Sequence, residues 1–79
     1  MELRKVVGAN IRKAREAAGL AQDQLAHDAD IHPTYLSGVE TGKRNITLNV
    51  LERIASALGV PEVSLVSRNA LLSEKSESR

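Results

Sequence analysis

Tyr35 is the only aromatic side chain in this sequence of 79 residues, which contains no Phe and no Trp. A core must therefore be assembled from aliphatic groups, and the supply is ample: 21 residues are Leu, Ile or Val, and ten more are Ala. That apolar content is enough for folding rather than disorder. Small aliphatic surfaces also suit the close approach of helices better than the paired faces of a β-sandwich. The length allows one small core and not two, so a single domain is expected.

No cysteine is present, which excludes disulfide staples and thiolate metal sites and gives no reason to expect an oxidising compartment. The apolar runs are only a few residues long, and Met1-Glu2-Leu3-Arg4-Lys5 does not have the apolar stretch of a secretory signal. The expectation is a cytoplasmic protein with no membrane partner. Net charge is only +1, too small to announce a nucleic-acid binder by itself; its distribution says more. In residues 1–20, Arg4, Lys5, Arg12, Lys13 and Arg15 outweigh Glu2 and Glu16, five cations against two anions and a local balance of +3. Residues 21–42 hold Asp23, Asp28, Asp30 and Glu40 with no Lys or Arg, a balance of −4, before Lys43, Arg44 and Arg53 restore positive charge. A polyanion would meet two basic flanks around an acidic centre.

Apolar spacing and punctuation divide the chain into five helical segments. Leu3, Val7, Ile11, Ala14 and Ala18 recur at helical spacing ahead of Gly19, which predicts a first helix over about 2–18. Leu25, Ala26 and Ala29 mark a short second helix from about 22, closed by a turn at Asp30 and Ile31. His32 as N-cap and Pro33, which has no N–H to lose at the first helical position, open a third helix with Leu36 and Val39 facing inward. After Gly42 and the loop Lys43-Arg44-Asn45-Ile46, Thr47 caps a fourth helix, with Leu48, Leu51, Ile54, Ala55 and Leu58 on its inner face and Gly59 at its end. Val60-Pro61-Glu62 starts a fifth, expected to run to Leu72. Residues 1–72 would then form the folded domain and residues 73–79 a polar flexible tail.

Two short helices joined by a tight turn and held between longer ones make a helix-turn-helix unit, whose second helix is sized for the DNA major groove. The residues sharpen this. Gly19-Leu20-Ala21-Gln22-Asp23-Gln24-Leu25-Ala26, then Ile31, Tyr35-Leu36-Ser37, Val39-Glu40, Gly42-Lys43-Arg44, and Leu51, Ile54, Ala55 and Leu58-Gly59-Val60 together resemble the phage-repressor and Cro-like helix-turn-helix family over residues 5–66. The run Thr34-Tyr35-Leu36-Ser37-Gly38-Val39-Glu40 with Arg44-Asn45 is most similar to the small dimeric controller proteins of restriction-modification systems. The resemblance implies an all-α, five-helix lambda-repressor-like domain with helices 2 and 3 as its helix-turn-helix. It implies a sequence-specific transcriptional regulator that binds double-stranded DNA as a homodimer on pseudo-palindromic operators and autoregulates.

Carried over position by position, the resemblance assigns Gln22 to the DNA backbone and to buttressing the recognition helix. Pro33, Thr34, Tyr35, Ser37 and Gly38 fall on exposed recognition positions. Thr34 is suited to a base edge or a thymine methyl and Ser37 to a base or phosphate, while Tyr35 either packs on sugar-phosphate or sits half-buried. Relatives place Gln or Arg where Pro33 and Gly38 stand. With no Arg, Asn or Gln in this helix, readout is expected to lean on DNA shape, thymine methyls and residues outside it. Lys43, Arg44, Asn45 and Thr47 match positions that grip phosphates, and Arg15 and Glu40 match a partly buried structural ion pair. Two positions depart locally: Ala21 stands where a Ser or Thr N-cap is expected, and Asp30 where the turn glycine is usual.

One such domain reads only a few base pairs, so two copies on adjacent half-sites are expected. Leu65 completes the core, which leaves Val63, Val66, Leu71 and Leu72 of helix 5 for a dimer interface. A rival reading, supported by the acidic 21–42 segment, is an antitoxin-like or other protein-interaction module; a stand-alone repressor is another. Catalysis has little support. His27, Asp28, Asp30 and His32 cluster in sequence without metal-ligand spacing, and there is no glycine-rich phosphate loop or nucleophile elbow. No cofactor, metal or small-molecule ligand is expected.

Overall fold

A computed structural model describes residues 2–68 as five helices: α1 (Leu3–Ala17), α2 (Gln22–Asp28), α3 (Pro33–Glu40), α4 (Leu48–Leu58) and α5 (Glu62–Val66). The described residues contain no strand. α3 and α4 start at side-chain caps. The His32 imidazole Nδ1 accepts a hydrogen bond from the Thr34 amide at 3.1 Å and caps α3, with Pro33 at its first position. Thr47 does the same for α4, accepting from the Val50 amide at 3.1 Å. α2 begins at Ala21 with no side-chain cap. The turn between α2 and α3 is made at Asp30, the non-glycine residue of positive φ (58°), a conformation that Asp tolerates better than most side chains.

The core is aliphatic. Val7 and Ile11 of α1, Leu25 and Ala26 of α2, Leu36 and Val39 of α3, and Leu51, Ile54 and Ala55 of α4 meet in one buried cluster closed by Leu65 of α5. Each large member removed from water contributes roughly 1.5–3 kcal/mol. α1 and α3 approach closely because Gly8 has no side chain: a Cβ there would lie 2.3 Å from the Val39 carbonyl oxygen and 2.7 Å from that of Glu40. A glycine inside a helix costs roughly 1 kcal/mol relative to alanine, which this backbone contact offsets.

Three expectations are corrected. Leu48 and Leu3 do not join the inner faces of α4 and α1. Leu48 is 83% exposed and Leu3 49%, because each is the first residue of its helix and overhangs the body despite its favourable spacing. The fifth helix stops at Val66 and not at Leu72. Ser67 is extended (φ −81°, ψ 124°), and the buried Asn10 amide draws on the carbonyls of Leu65 and Ser67 at 2.9 and 3.1 Å. Leu71, Leu72 and the tail 73–79 lie outside the described residues. Among the described residues, no helix is long and apolar enough to cross a membrane.

Candidate nucleic-acid interface

α3 buries Leu36, Val39 and Glu40 and turns Pro33 and Thr34 to solvent, with Tyr35, Ser37 and Gly38 half-buried between these two sectors. The exposed sector is therefore short and polar, bordered by one aromatic ring. The Tyr35 hydroxyl donates to the Asn45 carbonyl at 2.8 Å, and its ring packs on the edge of the core. That bond ties the loop between α3 and α4 to the recognition helix. The loop is also held by the Gly38 carbonyl, which accepts from the Lys43 and Arg44 amides at 2.9 and 3.1 Å.

Arg44 is expected on this surface, but the course of its side chain is not. Its side chain crosses α3 at Gly38, where an added Cβ would lie 2.3 Å from the arginine Cγ. The guanidinium carbon stands 5.4 Å from the Tyr35 ring centroid, within cation–π range, a contribution of about 0.5–1 kcal/mol at an exposed site. A helix that has no Arg, Asn or Gln of its own thus carries a guanidinium delivered from the following loop. Lys43, Asn45 and Thr47 are exposed along that loop. Thr47 uses its oxygen to cap α4 and retains its hydroxyl proton for donation outward. Lys5 of α1 packs against Gly42, which brings one helix 1 cation beside the loop.

Behind α3 lies a charged knot. Arg15 donates from Nε to Glu40 Oε2 at 2.8 Å and from Nη2 to Oε1 at 3.1 Å, and its Nη1 donates to the Leu20 carbonyl at 2.9 Å. Gln22 Nε2 donates to the same Oε1 at 3.0 Å. The Glu40 side chain is only 2% exposed, so a buried carboxylate is held by three donors. The hydrogen bond to Glu40 holds the Arg15 guanidinium above its ordinary pKa, against burial, which works the other way. Gln22, read from the sequence as a phosphate contact and a buttress, is anchored on the end of α3 with one amide hydrogen remaining.

Gly38 and Leu48, like Leu3, are positions that the sequence leaves illegible. A glycine six residues before an arginine carries no signal of contact, and helical spacing places Leu48 inside. In the structure Leu48, Leu3, Leu51 and Val66 line an apolar groove that also takes in Arg44 and Asn45. Val63 stands beyond it on α5, 67% exposed. No cluster of three or more His, Cys, Asp or Glu side chains able to hold a metal ion occurs among the described residues.

The helix-turn-helix family model matches residues 11–65 of the chain. Control protein C.SmaI of Serratia marcescens is 35% identical over 75 residues, covering 95% of this chain and 89% of that protein. Control protein C.BamHI of Bacillus amyloliquefaciens is 37% identical over 65 residues, covering 81% of this chain and 80% of that one. Among solved structures, the restriction-modification controller protein C.AhdI from Aeromonas hydrophila matches with a TM-score of 0.77 and 34% identity, over 78% of this chain and 94% of that chain. The hypothetical transcription factor NHTF from Neisseria matches with a TM-score of 0.84 and 35% identity, over 92% and 85%.

Proposed function

The chain belongs to the helix-turn-helix family of DNA-binding transcriptional regulators, homologous to restriction-modification control proteins, and from that premise we propose that it acts as a homodimer on a pseudo-palindromic operator and controls its own transcription. The family consists of regulators and not enzymes. The reading is carried by one observation: the solvent face of α3 is bounded by an arginine laid across it and by the exposed start of α4. Thr34 and Ser37 enter the major groove, with Pro33 against a thymine methyl and the edge of Tyr35 against sugar-phosphate. Arg44, Lys43, Asn45, Thr47 and the remaining amide hydrogen of Gln22 hold phosphates on either side. With so few bidentate base readers, sequence dependence of DNA shape supplies much of the discrimination.

Dimerisation follows from economy of charge and from apolar exposure. A balance of +1 gives one domain little general attraction to duplex, and a second copy on a second half-site supplies it. Val63 and Val66 of α5 form the seam, and the exposed Leu48 and Leu3 lie near it. Regulation in this reading depends on protein concentration and cooperative filling of sites, the behaviour expected of a restriction-modification controller.

Selection of duplexes from a random pool, followed by binding titrations at several salt concentrations, tests this. The expected result is an inverted-repeat operator, with log K falling in proportion to log salt by roughly 0.9 per phosphate neutralised. Failure to bind duplex, or binding indifferent to salt, overturns the reading and favours a protein-interaction module.

A further inference from the structure

We infer that Asn10, with Gly8 two residues before it, is the positioning residue that sets the distance between the two recognition helices of the dimer, and so the half-site spacing that the regulator accepts. This rests on the dimer reading above. Residues two apart on a helix point about 160° away from each other, so Gly8 and Asn10 address opposite neighbours of α1. On one side, Gly8 allows backbone contact with the end of α3, 2.3 Å separating the position of a Cβ from the Val39 oxygen. On the other, Asn10, 5% exposed, donates its amide hydrogens to the carbonyls of Leu65 and Ser67 at 2.9 and 3.1 Å.

α5 needs such a hold. It has five residues and no side-chain cap at its start, far below the length at which a helix stands alone. Leu65 anchors it in the core with Val60 and Val66 packed beside it, but apolar contacts are non-directional and leave a short helix some freedom to turn. Two hydrogen bonds to carbonyls two residues apart remove that rotation. α1 thereby registers α5, which carries the seam, against α3, which carries the reading head. A small rotation of α5 would move the partner's α3 along the duplex, where one base pair is about 3.4 Å.

The operator is first selected with the unaltered chain. Duplexes are then made with its half-sites one base pair closer, one farther apart, or with one half-site alone. The unaltered protein should lose about tenfold or more in affinity on either shift. Asn10→Asp, which keeps the shape and removes both donors, should bind the single half-site within about twofold of the unaltered chain and lose less than about threefold on either shift. Retention of the full spacing penalty overturns the proposal, as does equal loss on all duplexes, the pattern of general destabilisation. If Asn10→Asp does not fold, Asn10→Ser is measured instead, and failure of both to fold overturns it too. An unaltered protein that stays monomeric in sedimentation and is indifferent to spacing defeats the dimer reading itself.

Discussion

The aliphatic stem of Arg44 fills the volume that a side chain at Gly38 would occupy, 2.3 Å from the position of its Cβ. A loop cation therefore reaches the face of the recognition helix only because that helix contains a glycine. Gly38→Ala separates two effects. Helix propensity favours alanine by about 1 kcal/mol, while the displaced arginine loses its packing and its contact with Tyr35, a loss of similar size. Thermal stability should change little, and affinity for the selected operator should fall about tenfold if Arg44 contributes one charged phosphate contact of roughly 1.5 kcal/mol. Unchanged affinity would remove Arg44 from the interface.

Glu40→Ala leaves Arg15 and Gln22 without the acceptor that they share. An abandoned buried charge costs roughly 3–5 kcal/mol, set against a total on the order of 5–10 kcal/mol for a domain of this length. Urea or thermal melts should show a chain that has lost about half of its stability, with Tm lowered by roughly 12–40 °C. The raised Arg15 pKa implies a definite sign. Its stabilisation is fully present below arginine's ordinary titration range and is lost only as pH rises through the raised value. Between pH 5 and 9 that contribution should therefore stay constant in the unaltered chain, as urea melts across this range will read.

Leu48→Asp and Val63→Asp alter side chains that are 83% and 67% exposed. Surface changes of this kind usually shift folding stability by no more than about 0.5 kcal/mol. Each variant should melt like the parent at low concentration yet dimerise at least about tenfold more weakly, since a charge at an apolar seam is desolvated when the copies meet. Sedimentation over a concentration series reads this directly.

Ala21→Ser supplies the cap missing at the start of α2. A serine there accepts from an amide of the first turn and should raise stability by about 0.5–2 kcal/mol, visible as an increase of several degrees in Tm. No increase would mean that the N-terminal amides of α2 are already satisfied in solution.

Much of this fold is legible because its signals are local. His32-Pro33 and Thr47 state where α3 and α4 begin, Gly59 states where α4 ends, and Leu25, Leu36 and Ile54 repeat at helical spacing inside their segments. Resemblance paired Arg15 with Glu40. The remainder depends on contacts between distant positions. The end of α5 is held by an amide 55 residues upstream of Leu65, and Leu48, spaced like an inner-face residue, stays 83% exposed at the first position of its helix. Gly38 looks like a gap in the reading helix until Arg44 is seen lying in it.

The Glu40 carboxylate gathers hydrogens from α1 and α2 while its own backbone closes α3. Three segments thus share one fastening, and none can come undone without releasing the others. In amide exchange they should open as a single cooperative unit, with protections converging on one free energy, so that α3 keeps its shape in the free protein and the proposed binding of DNA would leave little ordering to be done on arrival.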